Sequence, residues 1–211
     1  LRTPVAILKG ELEAVIDGVR ALDMTQIESA HQEVIHLQKL IEDLHALTSA
    51  DVGGMKYQKA PVELVNFIGQ LQQKYSGYTL EHGMVVNFET TLTQCTLAID
   101  ETRFCQLMDN LINNCVKYAL EGDTICISLA ENHKQVVIVI EDNGIGVEEQ
   151  HLPNLFEHLY RVESARNRKT GGSGLGLSIC RHIVDGHQGT IEAKRSELGG
   201  LAVEIILPKD R

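Results

Sequence analysis

With 211 residues, 43% of them hydrophobic, the chain has material for one or two domains with real cores. Its 19 Lys and Arg stand against 29 Asp and Glu for a net charge of -10, and no basic run is concentrated locally, so nucleic acid is not an expected partner. No apolar run reaches the ~18 residues that span a bilayer, and no signal peptide is visible, so the expected piece is soluble and makes no membrane contact. Five cysteines (Cys95, Cys105, Cys115, Cys126, Cys180) form no C-x-x-C pair and sit in apolar surroundings, which predicts reduced, buried thiols in a cytoplasmic setting. The first residue, Leu1, falls inside what reads as a helix, so a fragment of something longer is expected.

From Val5, the apolar positions Val5, Leu8, Leu12, Val15, Val19 and Leu22 recur in steps of three and four, the stripe of a helix packed in a bundle. Pro4 is expected in its first turn. Thr25-Gln26-Ile27-Glu28 has the capping-box pattern and predicts the start of a second helix, striped by Ile27, Ala30, Val34, Leu37, Ile41 and Leu44. A short link makes the two an antiparallel hairpin over 1–50. Two helices cannot bury both stripes, so pairing with a second copy into a dimeric four-helix bundle is expected.

Asp51-Val52-Gly53-Gly54 breaks the periodicity and Pro61 follows, which places a linker over 51–61 and a second domain over 62–211. In that domain the pattern predicts helices over 62–75, 101–119 and 174–187, and strands over 84–90, 95–99, 124–130, 135–141, 190–194 and 201–207. Val136-Val137-Ile138-Val139-Ile140 is continuously apolar, as expected of a strand covered on both faces. The predicted class is α+β: the helical hairpin, then an α/β sandwich with a mixed sheet and helices on one face.

Three patches carry chemistry. On the helix from Glu101, residues Asn110, Asn113, Asn114, Lys117 and Tyr118 fall on one face, where amides are poor packing groups but hard oxygen donors suited to Mg²⁺. Lys117 adds charge for phosphates, and Tyr118 can lie on a purine ring. Asp142-Asn143-Gly144-Ile145-Gly146 ends the apolar strand, where a fixed carboxylate accepts from an exocyclic amine and Gly144 and Gly146 let the backbone approach a flat base. Gly171-Gly172-Ser173-Gly174-Leu175-Gly176-Leu177-Ser178 opens a helix and can wrap a phosphate with uncovered N–H groups. Arg161, after Phe156 and Tyr160, can reach a terminal phosphate, and the polar stretch from Val162 to Ser173 is a candidate lid.

Together these residues resemble the sensor histidine kinases of two-component systems, over nearly the whole chain. Asn110 to Tyr118 is similar to the N box, Asp142 to Gly146 to the first glycine box, Phe156 to Arg161 to the F box, and Gly172 to Leu177 to the second glycine box. The resemblance implies a histidine kinase/Hsp90-like ATPase sandwich that binds Mg-ATP. Asp142 would bond adenine, with Gly144, Gly146, Tyr118, Gly172, Gly174, Leu175, Gly176 and Leu177 around the nucleotide. Asn114 would ligate Mg²⁺, Asn110 would hold the place of a catalytic acid, and Lys117 and Arg161 would contact phosphates. Leu1-Arg2-Thr3-Pro4 is similar to the end of the phosphoacceptor motif, whose histidine would lie two residues before Leu1; Thr3 would align water for dephosphorylation. A homodimer, a response regulator receiver domain as partner and a cytoplasmic place below an inner-membrane sensor are implied likewise. Two alternatives stay open: a non-kinase ATPase of the Hsp90, MutL and gyrase kind, and a dimerising scaffold with a degenerate pocket.

Overall fold

The computed structural model describes residues 2–51, 56–119, 121–162 and 174–209. The chain divides into two units, Leu1–Met55 and Lys56–Arg211.

The first unit consists of α1 (Arg2–Ile16) and α2 (Met24–Asp51). α1 is shorter than its apolar stripe: Gly18 takes φ +69°, and the N–H groups of Val19 and Arg20 turn back onto the carbonyl of Ala14. Val19 and Leu22 therefore lie outside the helix, because a left-handed glycine ends a helix more decisively than two further apolar residues extend it. The cap of α2 is Asp23, whose Oδ1 accepts from the Gln26 N–H at 2.9 Å, and not Thr25. Ser29 of α2 donates to Glu11 of α1 at 3.1 Å, tying the two helices side by side.

The second unit runs β1 (Ala60–Glu63), α3 (Leu64–Glu81), β2 (Val85–Thr90), β3 (Thr96–Ile99), α4 (Glu101–Tyr118), β4 (Thr124–Glu131), β5 (Gln135–Asp142), a short 3-10 helix (Glu149–Asn154), α5 (Gly176–Gly186), β6 (Thr190–Arg195) and β7 (Leu201–Pro208). The main sheet is ordered β2-β4-β5-β7-β6, with β2 parallel to β4 and all other pairs antiparallel. β1 was not anticipated: it pairs antiparallel with β3 as a separate two-stranded sheet, where Pro61 sits at an edge and its missing donor costs nothing. Its last residue, Glu63, caps α3 by accepting from Val65 and Asn66, and its Oε1 also takes the Cys95 N–H at 2.8 Å. A helix onset at Val62 thus gives way to one at Leu64.

Burial along β5 alternates. Val136, Ile138, Ile140 and Asp142 are buried while Val137, Val139 and Glu141 are half-exposed, because α3, α4 and α5 cover only one face of the sheet. The continuous apolar run is therefore a strand with one covered face, not two. Phe104, Leu107, Leu111 and Ile112 of α4, with Ile179, Ile183 and Val184 of α5, close the core against Ile127, Ile140 and Ile205.

Candidate functional site

Asp142 ends β5 with its side chain on the covered face, 4% exposed. Its Oδ1 accepts from the Gly144 N–H at 3.0 Å and from the Leu201 N–H at 3.3 Å, and its carbonyl accepts from Gly200 at 3.1 Å. Burial pushes the carboxyl above the ordinary aspartate value, opposed by those two amides and by the Cys115 thiol on α4. Cys115 is itself pushed up, first by burial and then by the Asp142 charge. Gly200 leaves no choice of residue, since a Cβ there would lie 2.0 Å from Asp142 Oδ1.

The loop after Asp142 is fastened to the end of α4. A Cβ on Gly144 would stand 2.5 Å from Ala119 Cα, so only glycine lets the two backbones meet. Asn143 holds the other side of the joint: its Oδ1 accepts the N–H groups of Asp123 and Thr124, both at 2.9 Å, and its Nδ2 donates to Asp123. The result sets half-buried Tyr118 and exposed Lys117, in the last turn of α4, beside the loop that carries Gly144 and Gly146.

One turn back along α4 the polar face divides. Asn110 Nδ2 donates to the carbonyl of Gly176 at 3.3 Å, so α4 reaches the start of α5. Half-buried Asn114 follows four residues on, on the same side. Asn113 turns away: its Oδ1 accepts from Tyr78 of α3 at 2.9 Å and its Nδ2 donates to the Asp109 carbonyl. The expectation of one shared face therefore fails at Asn113, because a neighbouring helix offers its amide two partners.

Ahead of α5, Gly174 takes φ +71° and its carbonyl accepts the Leu159 N–H at 3.1 Å. That bond brings the segment with half-buried Arg161 to the start of the helix. Leu175, in the cap position, offers no side-chain acceptor, which leaves first-turn N–H groups of α5 available to an anion. Leu177 is half-buried in that turn. Gly172 and most of the candidate lid lie outside the described residues, and of Thr3 only the placement in α1 is described. Phe156 is buried under the Arg181 guanidinium.

Asp142, the Asn110–Asn114 side of α4 and the Gly174–Gly176 turn thus lie around one helix. Among the described residues no three His, Cys, Asp or Glu side chains are grouped to cage a metal ion. A cation here would depend on amide oxygen and on oxygens of its own ligand, which suits Mg²⁺ and not zinc. The pattern alone did not reveal Cys115, Ala119, Asn143, Gly200 and Leu201 as the parts that hold the carboxylate and its loop. Asn143 stands inside the Asp142–Gly146 patch, but its place in the motif gives no sign that it clamps Asp123 and Thr124.

This geometry defines an ATPase sandwich, and residues 99–211 match the family described as histidine kinase-, DNA gyrase B-, and HSP90-like ATPase. The chain belongs to that family. Within it, the sensor histidine kinases are the relatives: the chain is 40% identical over all 211 residues to the signal transduction histidine-protein kinase BaeS of Escherichia coli K12, spanning 45% of that protein. It is 32% identical over 99% of its length to the sensor protein SrrB of Staphylococcus aureus, covering 36% of it. The chain therefore spans less than half the length of these curated relatives. Histidine kinase AdeS of Acinetobacter baumannii shares the fold with a TM-score of 0.83 at 23% identity, over 100% of this chain and 97% of that one. No described helix is long and apolar enough to cross a membrane.

Proposed function

We propose that this chain is the kinase core of a two-component sensor: a hairpin whose phosphoacceptor histidine would lie two residues ahead of Leu1, so that this piece does not phosphorylate itself, and a sandwich that supplies the phosphoryl group from Mg-ATP. The observation that carries the reading is the convergence of a buried carboxylate, an amide-bearing helix face and a glycine-led helix start around α4. Asp142 accepts from the exocyclic amine of adenine, with the lone pairs that Gly144 and Leu201 leave open. Gly144 and Gly146 let the base approach the loop, and Tyr118 lies along it. Gly174, Gly176 and Leu177 offer backbone N–H groups to the phosphates, with Leu175 between them and Gly172 ahead of them. Lys117 and Arg161 add positive charge.

Asn114 is the residue that would hold Mg²⁺, which supplies charge neutralisation on the phosphate oxygens. Asn110 positions the reacting end, and catalysis is mostly alignment and electrostatics. The phosphoryl group passes to a histidine of the hairpin and then to an aspartate of a response regulator receiver domain, with Thr3 aligning water for hydrolysis of the phosphohistidine. The hairpin, 1–50, joins its twin in a four-helix bundle, the linker is 51–61, and the catalytic domain is 62–211. The whole is the cytoplasmic part of an inner-membrane sensor.

Calorimetry with ATP and Mg²⁺ tests the reading. The wild-type chain binds with one site per chain, Asp142→Asn removes the binding heat, and Asn114→Ala removes the Mg²⁺ dependence. Absence of any nucleotide binding by the folded wild-type chain overturns it.

A further inference from the structure

The segment that enters the second unit is fastened far from the candidate nucleotide site. Tyr57 donates its hydroxyl to the His182 carbonyl of α5 at 2.9 Å, and its ring lies against Gly186, where a Cβ would stand 2.1 Å from the ring carbons. The next residue, Gln58, gives its N–H to Asp100 Oδ2 at 2.8 Å. Asp100 is the cap of α4, and its other oxygen accepts from Arg103. Its own N–H donates to His187 Nε2 at 2.9 Å, while His187 Nδ1 binds the Ile183 carbonyl at 2.7 Å. His187 is 5% exposed and stands edge-on between the rings of Tyr57 and Phe104. Four groups, the His182 carbonyl, Gly186, His187 and Asp100, thus hold half-exposed Tyr57 and exposed Gln58.

We propose that Tyr57 is a positioning residue for phosphoryl transfer: its latch onto Gly186 and His182 fixes where the tether leaves the ATP-binding unit, and so sets the tether's effective length. The inference rests on the kinase reading above. Beyond the latch the next anchorages are the single Gln58–Asp100 hydrogen bond and the pairing of β1 with β3, which starts at Ala60. With Tyr57 unfastened, one backbone hydrogen bond alone holds the stretch 56–59 ahead of β1, and each residue that joins the tether adds ~3.3–3.6 Å of reach. A longer tether lowers the effective concentration of the nucleotide at its acceptor and loosens the in-line geometry. Nucleotide affinity is untouched, because Asn114 and the Gly174–Gly176 turn lie at the other ends of α4 and α5, and Asp142 is joined to that end of α4 through Cys115.

Three measurements test this. Lys56 and Lys59 are exposed, so trypsin reports the latch directly. In Tyr57→Ala, cleavage after these lysines runs roughly tenfold faster than in wild type, as expected for the loss of a hydrogen bond and a ring contact. ATP affinity stays within about twofold, and in the full-length protein the transfer kcat falls roughly threefold or more at unchanged KM for ATP. Tyr57→Phe, which keeps the ring, lies between. Gly186→Ala provides a second route should Tyr57→Ala fold poorly: alanine suits the helix but expels the ring, and the same three shifts are expected. Wild-type cleavage and transfer rates in both variants overturn the proposal, and so does an ATP affinity that weakens in parallel with transfer. A wild-type protein that binds no ATP overturns the kinase reading instead, while the trypsin result still decides whether the latch exists.

Discussion

Asp142 is a residue whose presence costs the fold. Its carboxyl is raised above the ordinary aspartate value, first by burial, so folding favours its neutral form. Stability from this group is complete only below the ordinary value of 3.8 and is lost as pH rises through the raised one. At neutral pH the charge is a burden that only a ligand repays. Asp142→Asn should therefore melt at the wild-type temperature or higher at pH 7 by circular dichroism. Its ATP affinity should fall by about 2 kcal/mol or more, ~30-fold, because an amide nitrogen turned to the base meets a donor with a donor. The glycines around the site separate the same way. Gly200→Ala drives a Cβ to 2.0 Å from the Asp142 carboxylate and 2.5 Å from its carbonyl. It should lose about 1–3 kcal/mol in urea unfolding together with nucleotide binding. At Gly176 a Cβ would meet nothing closer than Asn110 atoms at 3.8 Å. Gly176→Ala should keep or gain stability, by up to about 1 kcal/mol, while weakening ATP binding if phosphate approaches that turn. Equal losses of stability in the two variants would refute the distinction.

At the scale of elements, α4 and α5 carry the site at one end and a buried polar joint at the other. His187, after the last turn of α5, has its pKa lowered from 6.5, burial being the main cause. Stability from a neutral buried histidine is present above the ordinary value and is lost as pH falls through the lowered one, when Nε2 gains a proton and can no longer accept from Asp100. The groups facing it are Tyr57, Lys59 and Asp100, the last of which opposes the shift. Thermal melts from pH 7 to pH 5 should show a steeper acid loss in wild type than in His187→Gln, whose amide oxygen accepts without titrating. Parallel slopes would remove His187 as the titrating group. The sequence made α4 and α5 legible because their apolar residues repeat at helical spacing over long stretches. It could not show Asn113 bonding Tyr78, since that partner lies 35 residues away and is brought near only by packing α3 on α4. Nor could it show β1, four residues around a proline that exist as a strand only because β3 pairs with them. The glycine boxes were visible by composition, yet the residue that each glycine spares from a clash was not.

For the molecule as a whole, the two units differ in how they treat apolar surface. The second buries its core to near zero exposure, whereas in the hairpin the stripe residues Val5, Leu12, Ile27, Val34 and Ile41 remain 51, 48, 48, 47 and 53% exposed. Helices α1 and α2 repeat the bundle spacing, so these five residues recur on the face that a bundle would cover. The homodimer proposed above covers it with its own copy, because a two-fold axis sets each stripe against an equivalent one. Val34→Glu then places two carboxylates near each other in an apolar seam, a cost of several kcal/mol that surface screening does not relieve. Light scattering at micromolar concentration should give twice the chain mass for wild type and the single mass for Val34→Glu, with ATP affinity unchanged in both, since every residue of the proposed nucleotide site belongs to the second unit. A wild-type chain that stays monomeric at that concentration would leave the stripe to a different partner and sink the bundle.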